Sequence, residues 1–254
     1  MLIEHLNPVA FTIGPLKVYW YGIFMAISFL IGVYYFINVG KKYGYKEDEL
    51  LNVITIVMIS AIVGARLMFV LANYPHWFVK DPLQVLKIHE GGLAWHGGLL
   101  GGLIAGNIFA RKYKIGLARL SDLVVPGLTT GYILVRIGNI FNHEILGRMT
   151  EFWFGRWPAQ PIASLIGLVL MIRYFRVERT NPPPGYQFWS FIFYHQLLRC
   201  IVEETIRENP LFLLGYVNES WGIGFFTLTH VATPFILLLA YYYIRKSKKS
   251  HINI

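Results

Sequence analysis

Residues 50–72 read LLNVITIVMISAIVGARLMFVLA, a run of 23 positions with one ionisable side chain, Arg66. About 20 apolar residues in helical form cross the hydrocarbon of a bilayer, so this stretch is long enough to span one. Comparable runs recur on either side, at 18–39, 92–110, 120–141, 161–175, 188–206 and 221–244. Composition agrees: 55% of the 254 residues are hydrophobic and only 15% are charged, against about a quarter charged in soluble domains. The expected fold is all-α and polytopic, a single integral-membrane domain over 1–254 with about seven transmembrane helices. The run 161–175 is short and 188–206 is interrupted by charge, so six spans stay open beside seven. A lone cysteine, Cys200, excludes a disulfide framework, and His76, His89, His143 and His230 lack metal-ligand spacing. No metal and no cofactor is expected.

The formal charge of +9 is explained mainly by topology. Lys41, Lys42 and Lys46 follow the first run, and Arg111, Lys112, Lys114 and Arg119 follow the third. Arg173, Arg176 and Arg179 follow the fifth, and Arg245, Lys246, Lys248 and Lys249 follow the last. Fourteen of the 23 basic residues therefore fall at alternate ends, which marks those ends as cytoplasmic. The N-terminus is then outside and the C-terminus cytoplasmic, which requires an odd number of spans and favours seven. Nucleic-acid binding is not needed to explain the charge. The first run is too long for a cleavable signal and is followed by Lys41-Lys42, so it reads as a retained span. Pro182-Pro183-Pro184-Gly185 is a stiff cytoplasmic connection, and 211–218 is apolar enough to lie on the outer leaflet.

Ionisable groups inside spans are costly unless paired or hydrated, so they are the functional candidates. Arg66 reads either as a structural interhelical arginine or as a ligand-binding one. His96 lies among six glycines (Gly91, Gly92, Gly97, Gly98, Gly101 and Gly102) that suit close helix packing and equally the approach of a headgroup to the backbone. A lone histidine is more often structural, but its titration near neutral pH also fits a general base. Tyr21 reads as a belt aromatic or as a site residue.

The densest stretch is Arg136-Ile-Gly138-Asn139-Ile-Phe-Asn142-His-Glu144-Ile-Leu-Gly147-Arg148. Arg136 and Asn139 are three apart and share a helix face that Gly138 leaves open. The guanidinium suits a phosphate, with the Glu144 carboxylate to orient it. Further on, His195, Arg199, Glu203 and Arg207 follow one another at intervals of four, one polar stripe on an apolar helix. The stripe reads as an intramembrane Arg199–Glu203 pair or as the wall of a wet cavity.

Taken in order, these stretches resemble the bacterial prolipoprotein diacylglyceryl transferases. The likeness runs from Ile13-Gly14-Pro15 and Trp20-Tyr21-Gly22 through Gly64-Ala-Arg66, Asp81-Pro82-Leu83, His96-Gly97-Gly98 and Ser121-Asp122. It continues over the Arg136–Arg148 signature to Arg199-x-x-x-Glu203, nearly the whole chain. The resemblance implies a multi-pass enzyme of the bacterial inner membrane, working without a cofactor. Its substrates would be phosphatidylglycerol and the lipobox cysteine of a prolipoprotein signal peptide, among membrane lipids; its products a thioether and glycerol 1-phosphate. His96, Tyr21, Arg136 and Arg199 would then be catalytic. Arg136, Asn139, Asn142, Glu144, Gly147, Glu203, Arg66, Gly97 and Gly98 would bind substrate.

The chain also departs from the family pattern. Trp157-Pro158-Ala159-Gln160-Pro161-Ile162-Ala163 stands where the family usually reads His-Pro-Ser/Thr-Gln-Leu-Tyr-Glu. His195 replaces a tyrosine, Phe225 replaces a glutamine, and the spacing from Glu203 or Glu204 to Arg207 is ambiguous against the family's Glu-x-x-Arg. The expectation is a divergent transferase. The alternative is an altered or inactive paralogue that binds lipid or uses another acceptor; a transporter is a third reading, against which the chain lacks the paired broken helices that inverted repeats would show.

Overall fold

The computed structural model describes residues 6–88, 91–209 and 215–252. The elements run β1 (Val9–Ile13), β2 (Leu16–Tyr19), α1 (Trp20–Lys42), α2 (Glu47–Asn73), α3 (Trp77–Lys80), α4 (Pro82–Leu86), α5 (Trp95–Lys112), α6 (Leu117–Phe141) and α7 (Ala159–Glu178). They continue with α8 (Tyr186–Leu198), a π-helical turn (Arg199–Glu203), α9 (Glu204–Ile206), β3 (Gly215–Asn218), β4 (Ile223–Phe225) and α10 (Leu228–Ile252). Among these, α1, α2, α6 and α7 are long and apolar enough to cross a membrane. Large apolar side chains stand open on their outer faces and on α10, such as Leu30 at 67% and Phe235 at 72% exposure. Such surfaces suit lipid and not water. The chain divides into two compact units, Met1–Phe36 with Ser121–Ile254, and Ile37–Leu120.

The second unit is built on α2 and α5, which run antiparallel in close contact. Glycine lets them approach: a β-carbon on Gly97 would strike the Gly64 carbonyl, and one on Gly101 the Ser60 carbonyl. In lipid, where apolar burial gives helices little reason to associate, such backbone proximity is the main source of packing energy. Acidic residues Glu47, Asp48 and Glu49 occupy the first turn of α2, the favourable end of its dipole.

In the first unit, α6, α7 and α8 enclose a core of Val125, Ile166, Leu170, Tyr174 and Phe191. Residues 20–36 of α1 lie along α6 at two glycine contacts. A β-carbon on Gly32 would come within 2.9 Å of Gly127 Cα, and one on Gly138 within 3.0 Å of Tyr21 Cα. The opening that Gly138 leaves on its helix face is thus filled by Tyr21. Gln196 Nε2 donates to Thr233 Oγ1 at 2.8 Å, and Trp189 stacks on Tyr243 at 4.4 Å, fastening α8 to α10.

Each apolar run falls on a helix, with two adjustments. The last helix begins at Leu228 and not near 221, because β4 pairs antiparallel with β3 and the chain turns through left-handed Gly222 (φ 64°) and Phe226 (φ 67°) before it. The all-α expectation also misses the β1–β2 hairpin, whose tight turn at left-handed Gly14 follows no strong alternation. Of 211–218, only 215–218 lie within the described residues, as β3. His89 lies outside them.

Gly101→Val should destabilise the protein by about 1–3 kcal/mol through overpacking. Gly131→Ala, which has open space at its β-carbon, should be neutral or slightly stabilising. Unfolding midpoints of both variants in detergent decide the point.

A buried arginine–glutamate cluster as the candidate active site

Arg136 lies five residues before the end of α6 and is 7% exposed; Asn139, one turn on, is 4% exposed. Burying a guanidinium requires a partner, and the partner is Glu203, itself at 0% exposure. Arg136 Nη2 lies 2.6 Å from Glu203 Oε1, and Arg207 Nη1 approaches the same oxygen at 3.7 Å. The other Glu203 oxygen accepts a short hydrogen bond from the Tyr132 hydroxyl. The Tyr132 ring in turn stacks under the Arg136 guanidinium, 4.8 Å away, and meets His195 edge-on at 4.6 Å.

The expected Arg199–Glu203 pair does not form. Between them the helix opens into a π turn, in which Glu204 N donates to Arg199 O, five residues back. Side chains five apart then share a face, so Arg199 Nε meets Glu204 Oε2 at 3.7 Å and Glu203 is released toward Arg136. The regular four-residue stripe is therefore broken at this turn, and Arg207 lies beyond the helix, in a β-bridge with Gly147. A π turn is the usual way for a helix to absorb one extra residue, and such turns gather at functional sites. Arg207 approaches Glu203, four residues back.

Glu144 does not orient Arg136. It lies past the end of α6, where the chain bends through left-handed His143 (φ 55°) and Ile145 (φ 57°), and its side chain is exposed. Its main chain is what the site uses. Gln160, at the start of α7 and 5% exposed, donates both amide hydrogens to the carbonyls of Glu144 and Ile145, each at 2.8 Å. Gln160 Oε1 faces Arg136 Nη1 at 3.5 Å. Asn142 continues the helix end through its amide, which donates to Gly138 O at 3.3 Å. Gly147 packs its Cα against the Trp157 carbonyl, where any side chain would collide. Asn139, Glu144, Gly147, Trp157 and Gln160 line one cavity of about 60 Å³. The departing segment 157–161 is thus one wall of the cavity that the signature forms.

Arg148 is 4% exposed, donates from Nε to Arg207 O at 2.8 Å, and leaves both terminal nitrogens without a hydrogen-bond partner among the described residues. Gly224 stands beside that guanidinium, which fills the space a β-carbon would need. Burial lowers the pKa of Arg148 and Arg207 from the usual arginine value, opposed by Tyr216 and Glu204 for the first and by Glu203 and Glu204 for the second. Arg136, Arg199 and Arg207 against Glu203 and Glu204 leave one positive charge in excess at these ion pairs.

The remaining candidates, Arg66, His96, Gly97 and Gly98, belong to the second unit. Of its two readings, Arg66 fills the structural one. Its Nε donates to Val85 O at 2.9 Å, Nη2 to Gln84 O at 2.8 Å, and Nη1 to Gly91 O at 2.6 Å and Gly92 O at 3.2 Å. It holds the left-handed Gly91-Gly92 turn that leads into α5, where His96 lies in the first turn with an exposed side chain. Gly97 and Gly98 face α2 and serve helix packing. Sequence reasoning missed Tyr132; its place four residues before Arg136, on the same face, was the available signal.

Residues 8–245 match the family described as prolipoprotein diacylglyceryl transferase. The chain belongs to that family. The phosphatidylglycerol–prolipoprotein diacylglyceryl transferase of Thermoanaerobacter sp. (strain X514) is 61% identical over 246 residues, covering 97% of this chain and 96% of that protein. The like-named protein of Caldanaerobacter subterraneus subsp. tengcongensis is 59% identical over the same shares. That of Thermus thermophilus is 31% identical, over 95% of this chain and 98% of its own length. In this diacylglyceryl transferase family member, the signature and the late arginine–glutamate motif meet in one buried ionic network.

Glu203→Ala strips Arg136, Arg207 and Tyr132 of their shared acceptor and should cost about 3–5 kcal/mol, the range for breaking a buried pair. Gln160→Ala, which frees two buried carbonyls, should cost about 1–3 kcal/mol. Chemical denaturation in detergent micelles gives both values.

Proposed function

We propose that this chain transfers the diacylglyceryl group of phosphatidylglycerol to the lipobox cysteine of prolipoproteins in the bacterial inner membrane. The enzyme is a single integral-membrane domain of seven spans, with the N-terminus outside and the C-terminus cytoplasmic. The observation that carries the reading is that the signature Arg136 and the late-motif Arg199 and Arg207, three guanidiniums, meet on the two buried carboxylates Glu203 and Glu204 in a chain of this family.

In the reaction the cysteine sulfur attacks the glyceryl carbon bonded to the phosphate oxygen. The carbon–oxygen bond breaks, a carbon–sulfur bond forms, and glycerol 1-phosphate leaves with the bonding pair. The thiol, with an ordinary pKa of about 8.5, gives up its proton to His96 or Tyr21. Negative charge grows on the departing phosphate, and Arg136 and Arg199 answer it with guanidiniums already fixed by Glu203 and Glu204. Because each carboxylate is shared or held at a distance, the arginines keep charge to spare for the substrate. Asn139, Glu144 and Gly147 line a small cavity beside Arg136, with Gln160 as its far wall, and Asn142 lies at the end of the same helix; these residues bind the substrate in this reading.

An inactive lipid-binding paralogue is disfavoured. Relatives at 59% and 61% identity carry the transferase name over nearly the full chain, so the segment 157–163 is compatible with that description.

Arg136→Ala should lower the transfer rate by roughly 10²–10³, the scale for losing one preorganised charge contact. His96→Gln should lower it by roughly 10²–10⁴ if the imidazole takes the proton. The assay is thioether-linked diacylglyceryl formed on a lipobox peptide from phosphatidylglycerol vesicles; near-normal rates in both variants sink the proposal.

A further inference from the structure

The opposite end of α7 carries a second cavity, separated from the signature by the 20 residues of that helix, about 30 Å. Its volume is about 390 Å³, and its lining includes Arg176 on α7, Lys248 on α10, Thr180, Asn181, Pro182 and Tyr186. Among the described residues no acidic side chain lines it. The nearby Glu178 is 5% exposed and turned inward, where Gln187 Nε2 lies 3.2 Å from its carboxylate. Among the described residues neither Arg176 nor Lys248 has a carboxylate partner; the Lys248 ammonium sits 5.3 Å from the centre of the Tyr186 ring.

Topology asks only that this end be positive. It does not ask for a framed hollow, and the frame is specific. The loop turns at left-handed Asn181 and Gly185 around three prolines. The Asp122 carboxylate accepts from Gly185 N at 2.7 Å and Phe188 N at 2.9 Å, so the first turn of α8 is already satisfied. Ser247 Oγ donates to Pro184 O at 2.7 Å and ties α10 to the same loop. The two cations, from separate helices, therefore border one cavity whose loop is tied down by these bonds. Tyr186, Trp189 and Tyr243 cluster at this level, as amphipathic aromatics do at the headgroup zone of a bilayer.

We propose that this cavity binds the phosphate of an anionic phospholipid headgroup from the cytoplasmic leaflet, between the Arg176 guanidinium and the Lys248 ammonium. Basic hollows between helices on the cytoplasmic side are suited to such headgroups. The site depends on the membrane orientation given above and not on the reaction, from which it is a helix length away. An inorganic phosphate ion has the same recognising chemistry; the aromatic setting and the neighbouring lipid-facing helices favour the lipid.

The test uses the full chain in detergent. Lipids retained by the wild-type protein and by the Arg176→Gln/Lys248→Gln double variant are counted by native mass spectrometry after exposure to equal phosphatidylglycerol and phosphatidylcholine. The wild-type protein should hold one more phosphatidylglycerol than the double variant, with occupancy of that lipid reduced on the order of tenfold by the substitutions. Transfer activity of the double variant should stay near wild-type, because neither residue belongs to the reaction machinery. Equal retention by both proteins overturns the proposal, as does displacement of the extra lipid by inorganic phosphate at low excess, which would assign the cavity to a free anion. Absence of transfer by the wild-type protein would count against the proposed reaction and leave the lipid count unaffected.

Discussion

Glu203 has no access to solvent, and its charge must be answered inside the helix bundle. Three elements are fixed by that one carboxylate: α6 through Arg136 and Tyr132, the π turn that presents it, and the strand-like segment after α9 through Arg207. Remove Arg136 and the buried carboxylate loses its close ion pair, a costly local change in apolar surroundings. The geometry of the site follows from that constraint. Arg136, close-paired to Glu203 and stacked on Tyr132, is held in one orientation by that constraint.

The two units treat a buried arginine in opposite ways, and the difference separates structure from chemistry. Arg66 gives its donors to four backbone carbonyls of a single outer connection. Those partners are neutral and fixed by the chain, so its role is to shape the entry into α5. The arginines around Glu203 and Glu204 meet carboxylates at mixed distances, from 2.6 to 3.7 Å, and outnumber them. A cluster in that state carries more guanidiniums than carboxylates. Such a network is a weak contributor to stability compared with an apolar core.

Much of this was legible in the residues. Apolar length located each long helix, since a span must carry its own backbone hydrogen bonds and therefore be helical. The unexpected charges at Arg136, Arg199 and Glu203 pointed to the site because polar groups in spans need a reason. What stayed hidden was whatever depends on backbone detail. Fixed helical spacing pairs Arg199 with Glu203; a π turn, which no periodicity announces, pairs it with Glu204. Glu144, adjacent in sequence to the signature, looked like the carboxylate for Arg136, but the partner came from 67 positions further along the chain, at Glu203. Gln160 sat inside a segment that reads as a departure, yet its amide is the clasp between α7 and the bend after α6.

That clasp bears on why the rebuilt segment and the intact signature are compatible. Gln160 contacts the carbonyls of Glu144 and Ile145, groups that exist whatever the side chains are, and it approaches Arg136 through its amide oxygen. The substituted neighbours Trp157 and Ala163 do other work: Trp157 Nε1 donates to Trp221 O at 2.7 Å and its carbonyl seats Gly147, while Ala163 is wholly buried. The wall can therefore change in bulk and apolarity while the polar contacts that fix Arg136 persist. The bulk of this wall and the polar contacts beside Arg136 are thus carried by different atoms of the same segment.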